Sequence, residues 1–371
     1  MKVLHILARG ETGGLEILCK NIALKSDWEN IVCFVCGGGT ICDEMKEDEI
    51  PVKILNNNFL KIKKSVKQLV EICKNEKIDI VNLHDGGTHL QIVYLLMQKK
   101  LNNIKFIKTV HTVYEKKFFV EKNKNIIKAK INYITLKKAL KKSNKVICVS
   151  KAVQKSLVDE FKLQNTRVVY NGIDISSTTI NKNKIIKNDI VYVGRVEKVK
   201  GIDLLIKAVS ILKEKGIDTN LCIVGEGDYS VNIKKLVEKL DIKDRINIVG
   251  RQNHNKVGEI MNESKIFVYP SIWQEAFGIS IIEAMEQGCI CIAFKKGGIP
   301  EIINDYENGF IIEKESEELL AEKLEYVLRI FAEGKTEKIK EKALKTAQRF
   351  SIENTIKNLR LEYENVLNER K

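Results

Sequence analysis

The sequence predicts an α/β protein of two doubly wound, Rossmann-like domains, and three observations carry that expectation. Short apolar runs of strand length alternate with helix-length segments in both halves of the chain. A polar, aperiodic stretch rich in Asn, Ser, Thr and Lys, Asn171–Asn188, separates the halves. The 371 residues are 44% apolar with only three prolines, enough for two separate cores and unlike a disordered chain.

In the first half, Val3–Leu7, Ile31–Cys36, Val52–Leu55, Ile78–Leu83, Lys105–Val110 and Lys145–Val149 read as buried strands of a parallel sheet. In the second half, Ile190–Val193, Asn220–Val224, Ile246–Val249, Ile266–Tyr269, Cys289–Ala293 and Phe310–Ile312 repeat the pattern, with a helix expected from Ile202 to Ser210. The expected organisation is a first domain over 1–170, a linker over 171–188 and a second domain over 189–350. A charged helical tail begins near Ser316, and a last helix over about 351–371, with Ser351 as candidate N-cap, is free to pack back onto the first domain.

Composition narrows the class. No run reaches the ~20 apolar residues of a membrane span, and the apolar run in Met1–Arg9 is too short for a signal peptide, so a cytoplasmic protein is expected. Nine cysteines, an odd number lying mostly in apolar runs, read as buried reduced thiols. Cys33 and Cys36 have metal-ligand spacing, but no second Cys pair or His cluster answers them.

The net charge of +14 is uneven: residues 1–170 hold 31 Lys and Arg against 17 Asp and Glu, whereas residues 171–371 hold 32 of each. Between Val113 and Lys145, eleven lysines face two glutamates and alternate with Phe118, Phe119, Val120, Ile126, Ile127, Ile131, Tyr133, Ile134 and Leu136. Such a segment suits peripheral contact with an anionic membrane surface, and a solvated lysine face is the alternative. A nucleic-acid surface is disfavoured, because the segment has almost no Arg and no recognition motif beside it.

The most informative stretch runs from Pro270 to Gly288 and places Glu275 and Glu283 around one helix start near Gly278. Ile279, Ile282, Ala284 and Met285 have helical apolar spacing, so the backbone N–H groups at Gly278 and Ile279 would face an anion such as a diphosphate. The two carboxylates would accept hydrogen bonds from hydroxyls on either side. An amphipathic helix with solvated glutamates is the plainer alternative. Other signals follow strand ends. Gly13-Gly14 opens a helix and fits either a phosphate or a tight turn. Gly194-Arg195 precedes Lys200-Gly201, where Arg195 can grip a diphosphate bidentately and Lys200 can add a point charge. Gly225-Glu226-Gly227 and Gly250-Arg251 are further glycine turns, and His84, Asp85 and His111 follow strands of the first half as candidate acceptor-side groups or packed residues.

In this order the segments Gly13–Glu16, Thr109–His111, Tyr170–Asp174, Gly194-Arg195 with Lys200-Gly201, Val224–Gly227 and the Glu275-x7-Glu283 pair resemble glycosyltransferase family 4. The resemblance spans nearly the whole chain. It implies the GT-B fold, two facing Rossmann-like domains with an interdomain cleft, and retaining transfer of a sugar from a nucleotide sugar, UDP favoured and GDP possible. The acceptor implied is a glycan or lipid-linked molecule of surface polysaccharide or capsule assembly.

By the same resemblance Glu283 would bind the donor ribose and Glu275 the transferred sugar, while Arg195, Lys200 and the backbone at Gly278 and Ile279 hold the diphosphate. Arg251 matches the base-contacting segment, Gly194 lies in the phosphate loop, and Gly14 and His111 would close the site from the acceptor domain. No metal or other cofactor is expected, since the cation pair Arg195 and Lys200 would take a metal's role. A GT-B epimerase acting on the nucleotide sugar is the nearest alternative. A nicotinamide oxidoreductase is disfavoured, because neither half has the full G-x-G-x-x-G turn with its acidic ribose ligand.

Overall fold

The computed structural model describes residues 1–11, 13–115, 126–175 and 185–369, and it divides into two compact units. The first comprises Met1–Asp174 with Ile352–Lys371, and the second Ile175–Ser351.

In the first unit the chain runs β1 (Lys2–Leu7), α1 (Gly14–Lys25), β2 (Glu29–Phe34), α2 (Thr40–Glu47), β3 (Val52–Ile54), α3 (Ile62–Asn75), β4 (Ile80–His84) and α4 (Thr88–Gln98). It continues through β5 (Lys105–Val110), α5 (Ile126–Lys142), β6 (Lys145–Cys148), α6 (Lys151–Phe161) and β7 (Thr166–Val168). The strands pair in parallel in the order β3-β2-β1-β4-β5-β6-β7. Alternation along β1 explains why both faces are covered. Leu4 and Ile6 pack with Leu83, Val93 and Tyr94 on one side, while Val3 packs with Leu18, Ile80 and Ile107 on the other.

The second unit repeats the plan with β8 (Asn188–Val193), α7 (Ile202–Glu214), β9 (Leu221–Val224), α8 (Ser230–Lys239), β10 (Ile246–Gly250) and α9 (His254–Asn262). After these come β11 (Ser264–Tyr269), α10 (Ile279–Glu286), β12 (Ile290–Phe294), β13 (Phe310–Ile312), α11 (Glu317–Ala332) and α12 (Glu337–Arg349). The parallel order is β10-β9-β8-β11-β12-β13. Its core joins Leu205, Ile206, Val209 and Leu212 of α7 to Leu320, Leu324 and Val327 of α11 over the sheet.

The last helix, α13 (Ile352–Asn368), belongs to the first unit, where Ile352, Leu359, Tyr363 and Val366 enter the same cluster as Val3 and Trp28. Its start is tied to the residues after β7: Ile352 N–H donates to the Ile173 carbonyl at 2.8 Å and the Thr355 hydroxyl to the Tyr170 carbonyl at 2.9 Å. Residues 171–174, read from sequence as the start of a linker, are thereby paired within the first unit, with Asn171 and Ile173 buried. Residues 176–184 of that stretch lie outside the described residues.

Strands β5 and β13 occupy the expected residues, and the other expected strands differ by one or two residues at one end or, for β2, β4 and β12, at both. Strand β7 is additional; it is a three-residue edge strand whose middle residue, Arg167, is exposed, so it carries no apolar run. All nine cysteines are free, and eight are buried. No helix among the described residues is long and apolar enough to cross a membrane.

Candidate active site

In a doubly wound sheet the order of strands reverses between the first strand and the fourth, and the loops at their carboxyl ends open a crevice there. In the second unit those loops follow β8 and β11. They are knitted together: Ile272 N–H donates to the Val199 carbonyl at 3.1 Å, and Gly201, at φ +64°, presses on Pro270 so closely that a Cβ would lie 2.1 Å from its carbonyl oxygen. Only glycine fits that approach, and it brings Lys200 under the β11 loop.

There Lys200 Nζ donates to Glu275 Oε1 at 2.7 Å, with 13% of one side chain and 11% of the other exposed. The Ser271 hydroxyl donates to the same carboxylate oxygen, and the Lys200 ammonium lies 5.6 Å from the centroid of the Tyr269 ring. Burial, then the Glu275 charge, pushes the Tyr269 hydroxyl well above its ordinary range, so it is held as a neutral phenol. A second loop fixes Glu275 from behind. Gly297, at φ +50° and with a built Cβ only 2.0 Å from the Glu275 carbonyl oxygen, lets Gly298 N–H donate to that carbonyl at 2.8 Å.

Arg195 stands after Gly194 with 73% of its side chain exposed, tethered by Glu197. The Tyr192 hydroxyl donates to the Arg195 carbonyl at 2.8 Å, and both Arg195 and Glu275 act electrostatically on Tyr192 and Tyr269. Gly278 precedes α10, whose first residue is Ile279. Glu283 lies in the second turn; burial raises its carboxyl pKa, while His254, whose Nδ1 is 3.9 Å from Glu283 Oε1, opposes the rise. Arg251 follows β10 and is exposed.

Two sequence candidates lie in the first unit. Gly14 opens α1 and is exposed. His111 follows β5, half-buried, with its backbone N–H donating to Asp85 Oδ2 at 3.2 Å and its Nε2 lying 3.2 Å from His84 Nδ1. His84 is buried and turned inward, its other nitrogen 2.8 Å from His5 Nδ1. Among the described residues one group of three potential metal ligands occurs, His5, Cys19 and His84, all buried. Cys33 and Cys36 form no such group with other ligand-type residues among those described.

The structure thus joins Lys200 to Glu275, brings Arg195 into the same electrostatic neighbourhood and sets Glu283 beside His254. No hydrogen bond among the described residues links Arg251 to these groups. Sequence reasoning missed Ser271, Tyr269, His254 and Gly297. A double lysine and glycine run after β12, Lys295–Gly298, was the available signal for the last.

Doubly wound sheets of this order open a ligand crevice at the switch point, the architecture that GT-B glycosyltransferases share. A family model described as Glycosyl transferases group 1 matches residues 176–346, and one described as Glycosyltransferase Family 4 matches residues 14–177. The chain belongs to that glycosyltransferase family and is a transferase enzyme. It is 28% identical over 334 residues to an uncharacterized glycosyltransferase of Haemophilus influenzae, covering 87% of this chain and 89% of that one. It is 27% identical to the Escherichia coli UDP-Gal:alpha-D-GlcNAc-diphosphoundecaprenol alpha-1,3-galactosyltransferase, over 76% of each. Among solved structures, a glycosyltransferase of Rickettsia africae superposes with a TM-score of 0.78 at 25% identity, over 100% of this chain and 99% of that one. Anabaena Alr3699/HepE in complex with UDP-glucose superposes with a TM-score of 0.82 at 20% identity, over 98% and 100%.

Proposed function

We propose that the enzyme transfers a sugar, with retention of anomeric configuration, from a UDP-sugar to a glycan or lipid-linked acceptor of surface polysaccharide assembly. The observation that carries this reading is the buried Lys200–Glu275 pair at the switch point of the second unit, with the Arg195 charge acting on Tyr269 near it. A cation held at a developing phosphate charge and a carboxylate held at sugar hydroxyls are what departure of a nucleoside diphosphate needs. The E. coli relative acts with UDP-galactose on a diphosphoundecaprenol-linked sugar, and HepE binds UDP-glucose, which favours a UDP-sugar and a lipid-linked acceptor.

In the reaction, the bond from the anomeric carbon to the diphosphate oxygen breaks with its electron pair going to the phosphate. The acceptor oxygen bonds to the anomeric carbon on the same face, and its proton passes to the leaving phosphate oxygen. Lys200 and Arg195 balance the growing charge there, Lys200 as a point charge and Arg195 through its planar fork. Glu275 steers the sugar, Glu283 accepts from the ribose diol, and Gly278 and Ile279 present backbone to the diphosphate. Gly194 lets the β8 loop turn toward it, and Arg251 lies on the base side. With two cations in that role the reaction needs no metal, so turnover should survive EDTA.

Contact with an anionic membrane fits the first unit, which carries the charge surplus. On α5 the exposed residues Ile127, Ile131 and Ile134 form a stripe at helical spacing, flanked by exposed Lys128, Lys130 and Lys138. Residues 116–125 of the basic segment, including Lys116, Lys117, Phe118, Phe119 and Val120, lie outside the described residues. The setting is the cytoplasmic face of the cell membrane.

Thermal-shift measurement against a panel of nucleotide sugars tests the donor, since a ligand of the folded state raises Tm by mass action. A UDP-sugar should raise it most, and product analysis with and without a polyprenyl-diphosphate-linked acceptor should show transfer only with acceptor. A nucleotide sugar converted into its epimer without acceptor would overturn the reading.

A further inference from the structure

A line of five side chains crosses the first unit from its buried edge to His111. Trp28 Nε1 is 2.8 Å from Asn30 Oδ1, His5 Nε2 is 3.1 Å from the same oxygen, His5 Nδ1 is 2.8 Å from His84 Nε2, and His84 Nδ1 is 3.2 Å from His111 Nε2. The sheet order makes this line, because His5 on β1 and His84 at the end of β4 lie on neighbouring strands and His111 follows β5, the next one. His5 is 0% exposed and His84 3%, so their ring nitrogens have each other and not water.

The donor at each step follows from elementary chemistry. An indole nitrogen only donates, so the Asn30 atom facing Trp28 is the carbonyl oxygen. The amide orientation is confirmed from the other side, where Asn30 Nδ2 donates to the Ser26 hydroxyl at 2.7 Å and to the Trp28 carbonyl at 3.0 Å. An oxygen that only accepts requires the proton of His5 on Nε2. Neutral His5 then accepts at Nδ1, so His84 carries its proton on Nε2 and accepts at Nδ1, and His111 must carry its proton on Nε2. Burial keeps the line neutral: it pushes His5 and His111 down to about 4 and His84 well below its ordinary value. Around His111 the Asp85 charge opposes the drop and the Lys108 charge adds to it.

We propose that Asn30, His5 and His84, anchored on Trp28, are positioning residues that lock His111 in the Nε2–H tautomer, so that it meets a sugar hydroxyl through its Nδ1 lone pair, as an acceptor. The identity of that hydroxyl as a sugar's rests on the transferase reading above; the tautomer does not. His111 can take a proton at Nδ1 without disturbing the line, because its Nε2–H still donates to His84. A proton entering at His5 would instead reverse every donor from His5 to His111.

The test is a long-range proton–nitrogen correlation spectrum of the full-length protein labelled with ¹⁵N in histidine, recorded at pH 7 without substrate. The expected result is three neutral histidines, each protonated on Nε2. In His84→Leu, His111 loses its acceptor and should show both tautomers in exchange. Asn30→Asp sets a carboxylate against His5 Nε2, so His5 should hold a second proton and the His111 proton should move to Nδ1. An Nδ1–H or doubly protonated His111 in the wild type overturns the proposal, and so does a His111 signal unchanged in His84→Leu. Should His84→Leu not fold, the wild-type and Asn30→Asp spectra decide by themselves. Adding one equivalent of zinc should leave the pattern intact. Loss of the His84 Nε2 proton on zinc addition would make His5, Cys19 and His84 a metal site and would also overturn the relay. Because the spectrum needs no substrate, its failure is distinguishable from failure of the transferase reading, which shows as absence of sugar transfer in wild type.

Discussion

The two switch points of this enzyme have the same strand order around the reversal and differ in the groups that would meet a ligand. In the first unit, β1 and the ends of β4 and β5 carry a neutral, hydrogen-bonded line of histidines whose pKa values burial drives down. In the second unit, the loops after β8 and β11 carry a lysine bonded to a glutamate, with an arginine nearby. Strand order therefore supplies a place, and strand-end side chains decide what that place does. A neutral acceptor suits a hydroxyl, whereas fixed cations suit a diphosphate.

The sharpest way to break this contrast is to remove the charge. Lys200→Ala should lower turnover by ~10²–10³ in steady-state assays, the usual cost of one preorganised charge-stabilising group. It should also lower Tm, because Glu275 is left nearly buried without its cation. The double variant Lys200→Ala, Glu275→Gln should regain part of the Tm and none of the turnover. Parental turnover in a folded Lys200→Ala enzyme would show that charge at the second switch point does not drive the reaction.

Much of this was legible in the sequence, for reasons that also explain what was not. Strands such as Lys105–Val110 show as apolar runs because parallel strands are covered on both faces. Glu275, Lys200 and Arg195 drew notice because they stand near glycines in loops after strands, and Glu283 because it follows Glu275 at a fixed spacing within the helix that starts after Gly278. Their partners did not. Lys200 and Glu275 are 75 residues apart, His254 is a lone polar residue at a helix start, and Tyr269 reads as one more strand residue. His5 inside an apolar run looks like packing until the sheet order puts it beside His84. Periodicity reports burial; it does not report which buried polar groups face each other.

The charge surplus sharpens the comparison from outside the sites. Each lysine near an anionic surface contributes about 1 kcal/mol, so Lys128→Gln with Lys130→Gln on α5 should weaken binding to anionic vesicles roughly 30-fold, read by co-sedimentation. Binding should fall as salt rises past 0.1 M, where the Debye length is about 10 Å. Equal sedimentation with neutral and anionic vesicles, or none with either, would return α5 to a solvated face and the acceptor to soluble sugars.

A smaller effect is expected at Glu283. Replacing its carboxylate by an amide weakens acceptance from a diol by about 1–2 kcal/mol, roughly a tenfold rise in KM for the nucleotide sugar. Stability should move the other way. Burial raises the Glu283 pKa in the folded enzyme, so the folded state holds its proton to higher pH than the unfolded chain and ionisation at neutral pH works against folding. Glu283→Gln should therefore have a Tm at pH 7 equal to or above the parent's. A clear drop in Tm would mean that the carboxylate is structural, held by His254.

The smallest effect expected is in the pH dependence of stability set by the histidine line. His5 and His111 fall to about 4 from an ordinary 6.5, and His84 lies well below 6.5. Unfolded, all three take up protons near pH 6.5; folded, they resist until about pH 4 or lower. Between these values the unfolded state binds more protons, so the stabilisation present above pH 6.5 is lost progressively as the pH falls through the folded pKa values. Lys108 shares the neighbourhood, but its pKa of about 8 keeps it charged throughout this window. Near pH 5 the three histidines should contribute roughly three protons of uptake on unfolding, measured as the slope of unfolding free energy against pH. His111→Gln removes one titrating ring and keeps a side chain able to hydrogen-bond with His84, so its slope should be smaller by about one proton while its stability at pH 7.5 stays near the parent's. An unchanged slope would mean that His111 titrates alike in the folded and unfolded chain, and would leave the neutral character of the first switch point without its main support.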